Sequence, residues 1–484
     1  METAFWSATR LAKALRAKKL GALELFDLYA RRIERYNKAL NAICVMDLEA
    51  GRRAARAADR ALGKRSLKPG ALHGLPMTVK ESFDVAGWPK TWGMPEFRDN
   101  VPRRDALAVQ RLKRAGAIVF GKTNVPLLLA DSQTYNAIYG TTNNPWNVTR
   151  VPVGSSGGGA AALAAGLTAL EMGSDIGASI RNPAHYCGVY GLKPTWGVCS
   201  PEGHGLPGAL QESDIAAIGP LARSAEDLAL ELDVIAGPGT IGMAGWRAEL
   251  EKPVLKRIRG LRVAVMASHP TAEVDASVAG PIEELARWLA KQGAKVSDRA
   301  RPGFDPEEAH RVYIALLRAA TSDRQTPDKL KLWPELARTR AADDMSYEAQ
   351  AARAYVMPHR EWLGVSNRRH QMRLAWAEFF RDWDVLLCPT ATTAAFPHNQ
   401  KGERWERMVS VNGRPQPSTT QMFWAGYSGA VYLPSTVAPI ALTAERLPVG
   451  VQIVGPQYAD YRTIAFARLL EREYRAFEPP PGYE

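Results

Sequence analysis

Cysteine is scarce in this 484-residue chain: Cys44, Cys187, Cys199 and Cys388 are scattered, with no CxxC spacing. That pattern argues against a disulfide framework and against a zinc site, and it suits a reducing compartment. Long apolar runs are missing too. The longest run of small apolar residues, 157–170, is too short and too rich in glycine and alanine to cross a bilayer. The first residues carry charge by position 10 and contain no apolar stretch, so no signal peptide is expected. No lysine follows the glycines of 154–159, which argues against a phosphate-binding P-loop in that segment. Heptads and internal repeats are absent. What remains is the balance of a globular protein, 46% hydrophobic and 23% charged. It is expected in the cytoplasm, without a membrane partner.

The net charge of +12 is unevenly spread, since residues 1–65 hold 15 Lys/Arg against 7 Asp/Glu. A solvated basic helical face accounts for this; an RNA or acidic partner is the other reading. Hydrophobic periodicity predicts helices over 8–19, 22–39 and 48–63, making 1–66 a helical arm that packs on a core of 67–484. In that core, strands at 75–82, 117–121, 216–219, 261–266, 294–297, 385–388 and 449–454 alternate with helices at 105–115, 224–235, 276–292 and 461–474. Such alternation predicts a layered α/β sheet. Residues 305–382 break the pattern, being helical, charged and aromatic-bearing. They form either a plain helical layer or the roof of a pocket.

The chemistry points to residues 154–194. Two glycine-rich turns there carry serines, at Ser155/Ser156 and at Ser179, and a small-residue segment between them suits a tightly packed helix and then a strand. Residues 154–158 fit GxSxG, the nucleophile elbow, with Ser156 as nucleophile. The elbow needs a histidine, and His185, His204, His310, His359, His370 and His398 are not told apart by any context. Ser179 fails the motif because Arg181 stands where the last glycine belongs. Far upstream, Lys80 sits inside the apolar strand LPMTVKES, an uncommon place for a lysine.

The stretch GSSGGGAAALAAGLTALEMGSDIGASIRNPAHYCGVYGLKPT closely resembles the defining segment of the amidase signature family. Further likeness lies in LHGLPMTVKESFDVAG (72–87), in 122–147, in LPVGVQIVGPQYAD (447–460) and in the arm at 24–43. The resemblance implies a large mixed twisted β-sheet sandwiched between helices. It also implies a Ser-cisSer-Lys triad, with Ser179 as nucleophile, Ser155 after a cis peptide bond as the bridge, and Lys80 as the base. To act so, Lys80 must be neutral, which requires its pKa to fall roughly three units through burial. The adjacent Glu81 points to the other strand face and need not oppose this.

By the same resemblance, backbone N–H groups along Ile176, Gly177, Ala178 and Ser179 form an oxyanion hole. The chain has G-A-S where the family has G-G-S, so Ala178 is strained if it needs positive φ. Leu129, Ala130 and Asp131 align with substrate-lining positions and are otherwise ordinary packing. Asp175 and Arg181 are expected to brace the turn, Ser156 to support it by hydrogen bonds, and His185 and Cys187 to be packed. No metal or cofactor is implied. The expected activity is hydrolysis of amides, with aryl or bulky apolar ones favoured and esters and carbamates also open, by a monomer or homodimer without nucleic acid. Two alternatives are the A subunit of a glutamine-dependent tRNA amidotransferase, working with tRNA and a partner chain, and a catalytically inactive binding protein.

Overall fold

A computed structural model describes residues 2–63 and 68–484. Eleven strands form one mixed sheet. Across it run Ile43–Met46, Ile118–Thr123, Pro76–Lys80, Glu171–Asp175, Ala217–Ala222, Tyr190–Lys193, Ser435–Leu442, Pro448–Val454, Val385–Cys388, Arg262–Val265 and Lys295–Ser297. Parallel pairing lies toward the two ends, and the middle is antiparallel. Pro76–Lys80, Glu171–Asp175 and Pro448–Val454 are buried at every position, because helices sandwich the sheet.

One detail of register positions the site. Pro76–Lys80 and Glu171–Asp175 are parallel neighbours, with Thr78 opposite Glu171 and Val79 opposite Met172. Their carboxyl ends therefore emerge side by side, carrying Lys80 from one strand and Ser174 and Asp175 from the other. The helix Gly157–Ala164 covers these strands and is glycine- and alanine-rich for a steric reason. A Cβ on Gly158 would stand 2.4 Å from the Asn124 nitrogen and 2.6 Å from the Ala42 oxygen.

The N-terminal residues are helical over Ala8–Arg16, Ala22–Leu40 and Leu48–Leu62. They also supply what periodicity does not reveal, the edge strand Ile43–Met46, antiparallel to Ile118–Thr123. Four residues between two helices are too few to show a period of two. Not all the basic residues face water. Arg32 is buried and donates to the carbonyls of Gly166 and Ala165 (both 2.9 Å) and of Tyr483 (2.5 Å), tying this segment to the rest. Asp227 accepts from the N–H groups of Ala8 and Thr9, capping the first helix from a distant element. The boundary placed at 66/67 lies outside the described residues.

Residues 305–382 contain four helices, Pro306–Ala319, Pro327–Thr339, Tyr347–Tyr355 and His359–Asp382. Their surroundings differ from part to part. Trp376 is fully buried against Phe379, Phe380 and Tyr427, whereas Arg324, Tyr355 and Trp362 line a cleft. The hairpin Met408–Val411 and Arg414–Pro417 turns on Asn412 and Gly413, both at positive φ, a hairpin signal visible in the residues themselves. No described helix is long and apolar enough to cross a membrane.

Candidate active site

Lys80 ends its strand fully buried, with its amine 2.6 Å from Ser155 Oγ and 3.0 Å from Ser174 Oγ. The Ser174 carbonyl is farther, at 3.4 Å. Burial pulls the amine from its ordinary value down to about 7, although Asp175 and then Glu171 act in the opposite direction. Glu171 lies beneath, accepting from the Thr78 hydroxyl at 2.5 Å and the Thr123 hydroxyl at 2.6 Å, and burial raises its carboxyl to about 7. The Gly154–Ser155 peptide bond is cis. Glu81 is occupied elsewhere, accepting from the N–H groups of Thr91 and Trp92.

The second turn is held by Asp175. Its carboxylate accepts from the N–H groups of Ala178 (2.9 Å) and Ile180 (3.1 Å) and from both the Nε and Nη2 of Arg181 (3.0 and 2.9 Å). Burial alone would raise this carboxyl, but the Arg181 guanidinium outweighs it and holds the group at about 2. Arg181 reaches on to the Ala425 carbonyl, Ser428 and Gln452. Ser156 hydrogen-bonds the Ser174 carbonyl at 3.3 Å. His185 is buried between the Gly450 N–H and the Thr393 carbonyl, and Cys187 is buried as well.

Ala178 corrects one expectation. Its N–H points inward to Asp175, so it cannot also face an oxyanion; among the four groups expected there, Ile176, Gly177 and Ser179 are left. Ala178 takes φ +72°, a left-handed conformation that costs a residue with a Cβ about 1–2 kcal/mol. Ala178→Gly is therefore expected to keep or slightly raise the melting temperature, as calorimetry would show. A clear loss of stability would mean that the Ala178 methyl, which packs among Ile215, Tyr313 and Ala425, outweighs the backbone cost.

Ser155, Ser174 and Ser179 open onto a cleft of about 1580 Å³. The Ser179 hydroxyl, facing this space, is hydrogen-bonded to no protein group among the described residues, so only the Lys80–Ser155 link of the expected relay is made. A smaller chamber of about 120 Å³ adjoins Ser179 and is lined by Leu129, Ala130 and Asp131, as well as by Arg318 and Arg324. Asp131 is engaged structurally, accepting from Arg407 Nη1 at 2.8 and 3.0 Å. Sequence reasoning does not single out Ser174, Glu171 or the chamber arginines Arg318, Arg324 and Arg404. Ser174 carries a signal, lying between the two serine turns in the same motif.

A large mixed sheet sandwiched between helices is the architecture of the amidase signature enzymes, and this chain belongs to that group. The Amidase family model matches residues 24–464, and the protein is a hydrolase of carbon–nitrogen bonds. Over 474 residues it is 31% identical to an indoleacetamide hydrolase of Bradyrhizobium diazoefficiens, covering 96% of this chain and 86% of that one. It is 30% identical over 482 residues to the A subunit of a glutamyl-tRNA(Gln) amidotransferase of Chromobacterium violaceum, covering 96% of each. A solved bacterial aryl acylamidase of the amidase signature family matches with a TM-score of 0.81 over 97% of this chain and 96% of that one; at 23% identity it speaks for the fold.

Proposed function

We propose that the protein hydrolyses amides through an acyl-enzyme on Ser179, with Ser155 and Lys80 as its proton relay. The observation that carries this reading is the buried Lys80 amine, 2.6 Å from the Oγ of Ser155, which lines a cleft together with Ser179. Ser179 Oγ attacks the carbonyl carbon while its proton passes to Ser155, whose own proton passes to Lys80 Nζ. The N–H groups of Ile176, Gly177 and Ser179 receive the negative oxygen. When the tetrahedral centre collapses, Lys80 returns the proton through Ser155 to the departing nitrogen, and the amine leaves. Water then repeats the sequence on the acyl carbon. Esters and carbamates pass through the same tetrahedral oxyanion and are open to the same machinery. Aromatic side chains at the cleft, Trp246 and Trp362, suit an aryl or bulky apolar portion of the substrate.

The proposed working form is a cytoplasmic monomer or homodimer in which the 1–66 arm serves as a brace for a single 67–484 core. The likeness to the amidotransferase chain supports a second reading, in which the relay frees ammonia from glutamine for a partner chain; copurification with a second protein chain or with tRNA would favour it. To test the hydrolytic reading, the protein is mixed with a nitrophenyl ester, quenched in acid and digested. The acyl mass is expected on the peptide carrying Ser179. An adduct on Ser156, or steady turnover by Ser179→Ala, would overturn the assignment.

A further inference from the structure

The small chamber beside Ser179 contains a guanidinium that the protein itself leaves unused. Buried charges in folded proteins are paired and hydrogen-bonded, because desolvation is otherwise uncompensated. Among the described residues every buried arginine but Arg318 obeys this, Arg32, Arg181, Arg223, Arg369 and Arg407 each donating to two or more protein oxygens. Arg324 does not. Its side chain is only 14% exposed, yet it donates no hydrogen bond to another group among the described residues. Its one charged neighbour is Asp323, at 3.7 Å from Nε, beyond hydrogen-bond reach and about half in solvent. The guanidinium carbon lies 5.2 Å from the Trp92 ring centroid, so the fork is held in place by an aromatic face while its donors stay free. Arg324 lines both the cleft and the chamber, at their junction.

The charge lining the chamber is positive on balance. Arg318 also lines the chamber, buried beside the Tyr355 hydroxyl, with its Nε unpartnered among the described residues and its Nη2 at 3.6 Å from the Met422 thioether. Arg404 stands at the same wall, held by the Ala130 carbonyl. Among the described residues, the only carboxylate lining the chamber is Asp131, already neutralised by Arg407. Three cations thus face a space of about 120 Å³ next to Ser179 with no free acid among them. A planar fork with idle donors matches the two oxygens of a carboxylate.

We propose that Arg324 is a substrate-binding residue that receives a carboxylate, so that the preferred substrates are amides whose acyl part bears an acid group a few bonds from the scissile carbonyl. This rests on the hydrolytic reading for which side of the bond lies where. The acyl part stays on Ser179 after the amine departs, and the wide cleft is the way out for the amine. The acid group therefore belongs in the chamber and the apolar amine in the cleft. Glutamine fits poorly, because its ammonium would meet these cations with no free carboxylate to receive it.

The test uses two anilides of one shape, the monoanilide of succinic acid and its neutral primary-amide counterpart. The parent protein is expected to prefer the acid at least tenfold in kcat/KM, and Arg324→Gln to reduce that preference by about ten- to a hundredfold, mainly through KM, the loss of a charge-assisted pair. Arg324→Lys should retain part of it. Calorimetric titration of Ser179→Ala with the same pair reads binding apart from turnover, and there the acid should bind more tightly unless Arg324 is also replaced. Equal treatment of acid and neutral anilide, or an equal loss for both in Arg324→Gln, overturns the carboxylate site. Selective binding of the acid by Ser179→Ala, with no hydrolysis of either anilide by the parent, would uphold the site and overturn the hydrolytic reading.

Discussion

Lys80→Met is expected to lower kcat/KM for an anilide by about 10³- to 10⁴-fold, while the protein folds at least as stably at neutral pH. The activity loss follows from position, since the Lys80 amine is the one basic group hydrogen-bonded to Ser155 among the described residues. The stability claim follows from burial. The folded amine titrates near 7, whereas in the unfolded chain it titrates near its ordinary value. Between those values the unfolded state binds the extra proton, so folding at pH 7 is opposed and becomes easier as pH rises. Methionine fills much the same space without a charge to desolvate, and that gain offsets the loss of contacts to Ser155 and Ser174. The advantage of the variant should shrink as pH climbs toward about 10, where the unfolded amine also gives up its proton. The same titration sets the parent's activity profile. Only the free amine accepts a proton, so kcat/KM should fall about tenfold per unit as pH drops below about 7. A flat profile from about pH 5.5 to about 8, or substantial activity in Lys80→Met, would show that the amine is not the base.

Lys80, Ser155 and Ser179 stand out in the chain because their surroundings are chemically odd: a lysine in an apolar strand and two serines in glycine turns. In the structure Ser155 and Ser179 line one cleft, and Lys80 lies buried behind Ser155. The other residues of the site lack that contrast. Arg407 reaches Asp131 across 276 positions, a pairing no local pattern can announce. Arg324 sits in an ordinary polar turn after a helix, and only the absence of a partner distinguishes it. For the fold, helices with one apolar face are legible, as are strands bounded by turns. Ser435–Leu442 is not, because its pairing slips between Pro439 and Ala441 and six of its eight residues are buried, which removes the alternation that marks a strand. Tyr190–Lys193 is short and wholly buried, and is hidden for the same reason.

Arg181→Met is expected to be the most destabilising of these changes, by about 3–5 kcal/mol, because it leaves Asp175 buried without its counter-charge. The ion pair is fully desolvated at both ends. Removing the guanidinium also frees the Ala425 carbonyl, Ser428 and Gln452, so the turn loses its tie to the strand Pro448–Val454 and the helix Met422–Gly429. Asp175→Asn alone should cost a similar amount by stranding Arg181. The double variant should be more stable than the sum of the two losses implies, since no unpaired charge remains, and a thermodynamic cycle measures that coupling. The parent's Asp175 titrates near 2, below an unfolded carboxyl near about 3.9, so its stabilising contribution is complete at neutral pH. It drains away as pH falls from about 4 through about 2. In Arg181→Met the carboxyl has lost what held it down, and the acid transition should move to higher pH. Activity should fall with stability even where the protein remains folded. Asp175 holds the N–H groups of Ala178 and Ile180, and this grip sets the direction of the neighbouring N–H groups of Ile176, Gly177 and Ser179. Additive losses in the cycle, with normal kcat in the folded single variants, would show that the pair merely fills space beneath the turn.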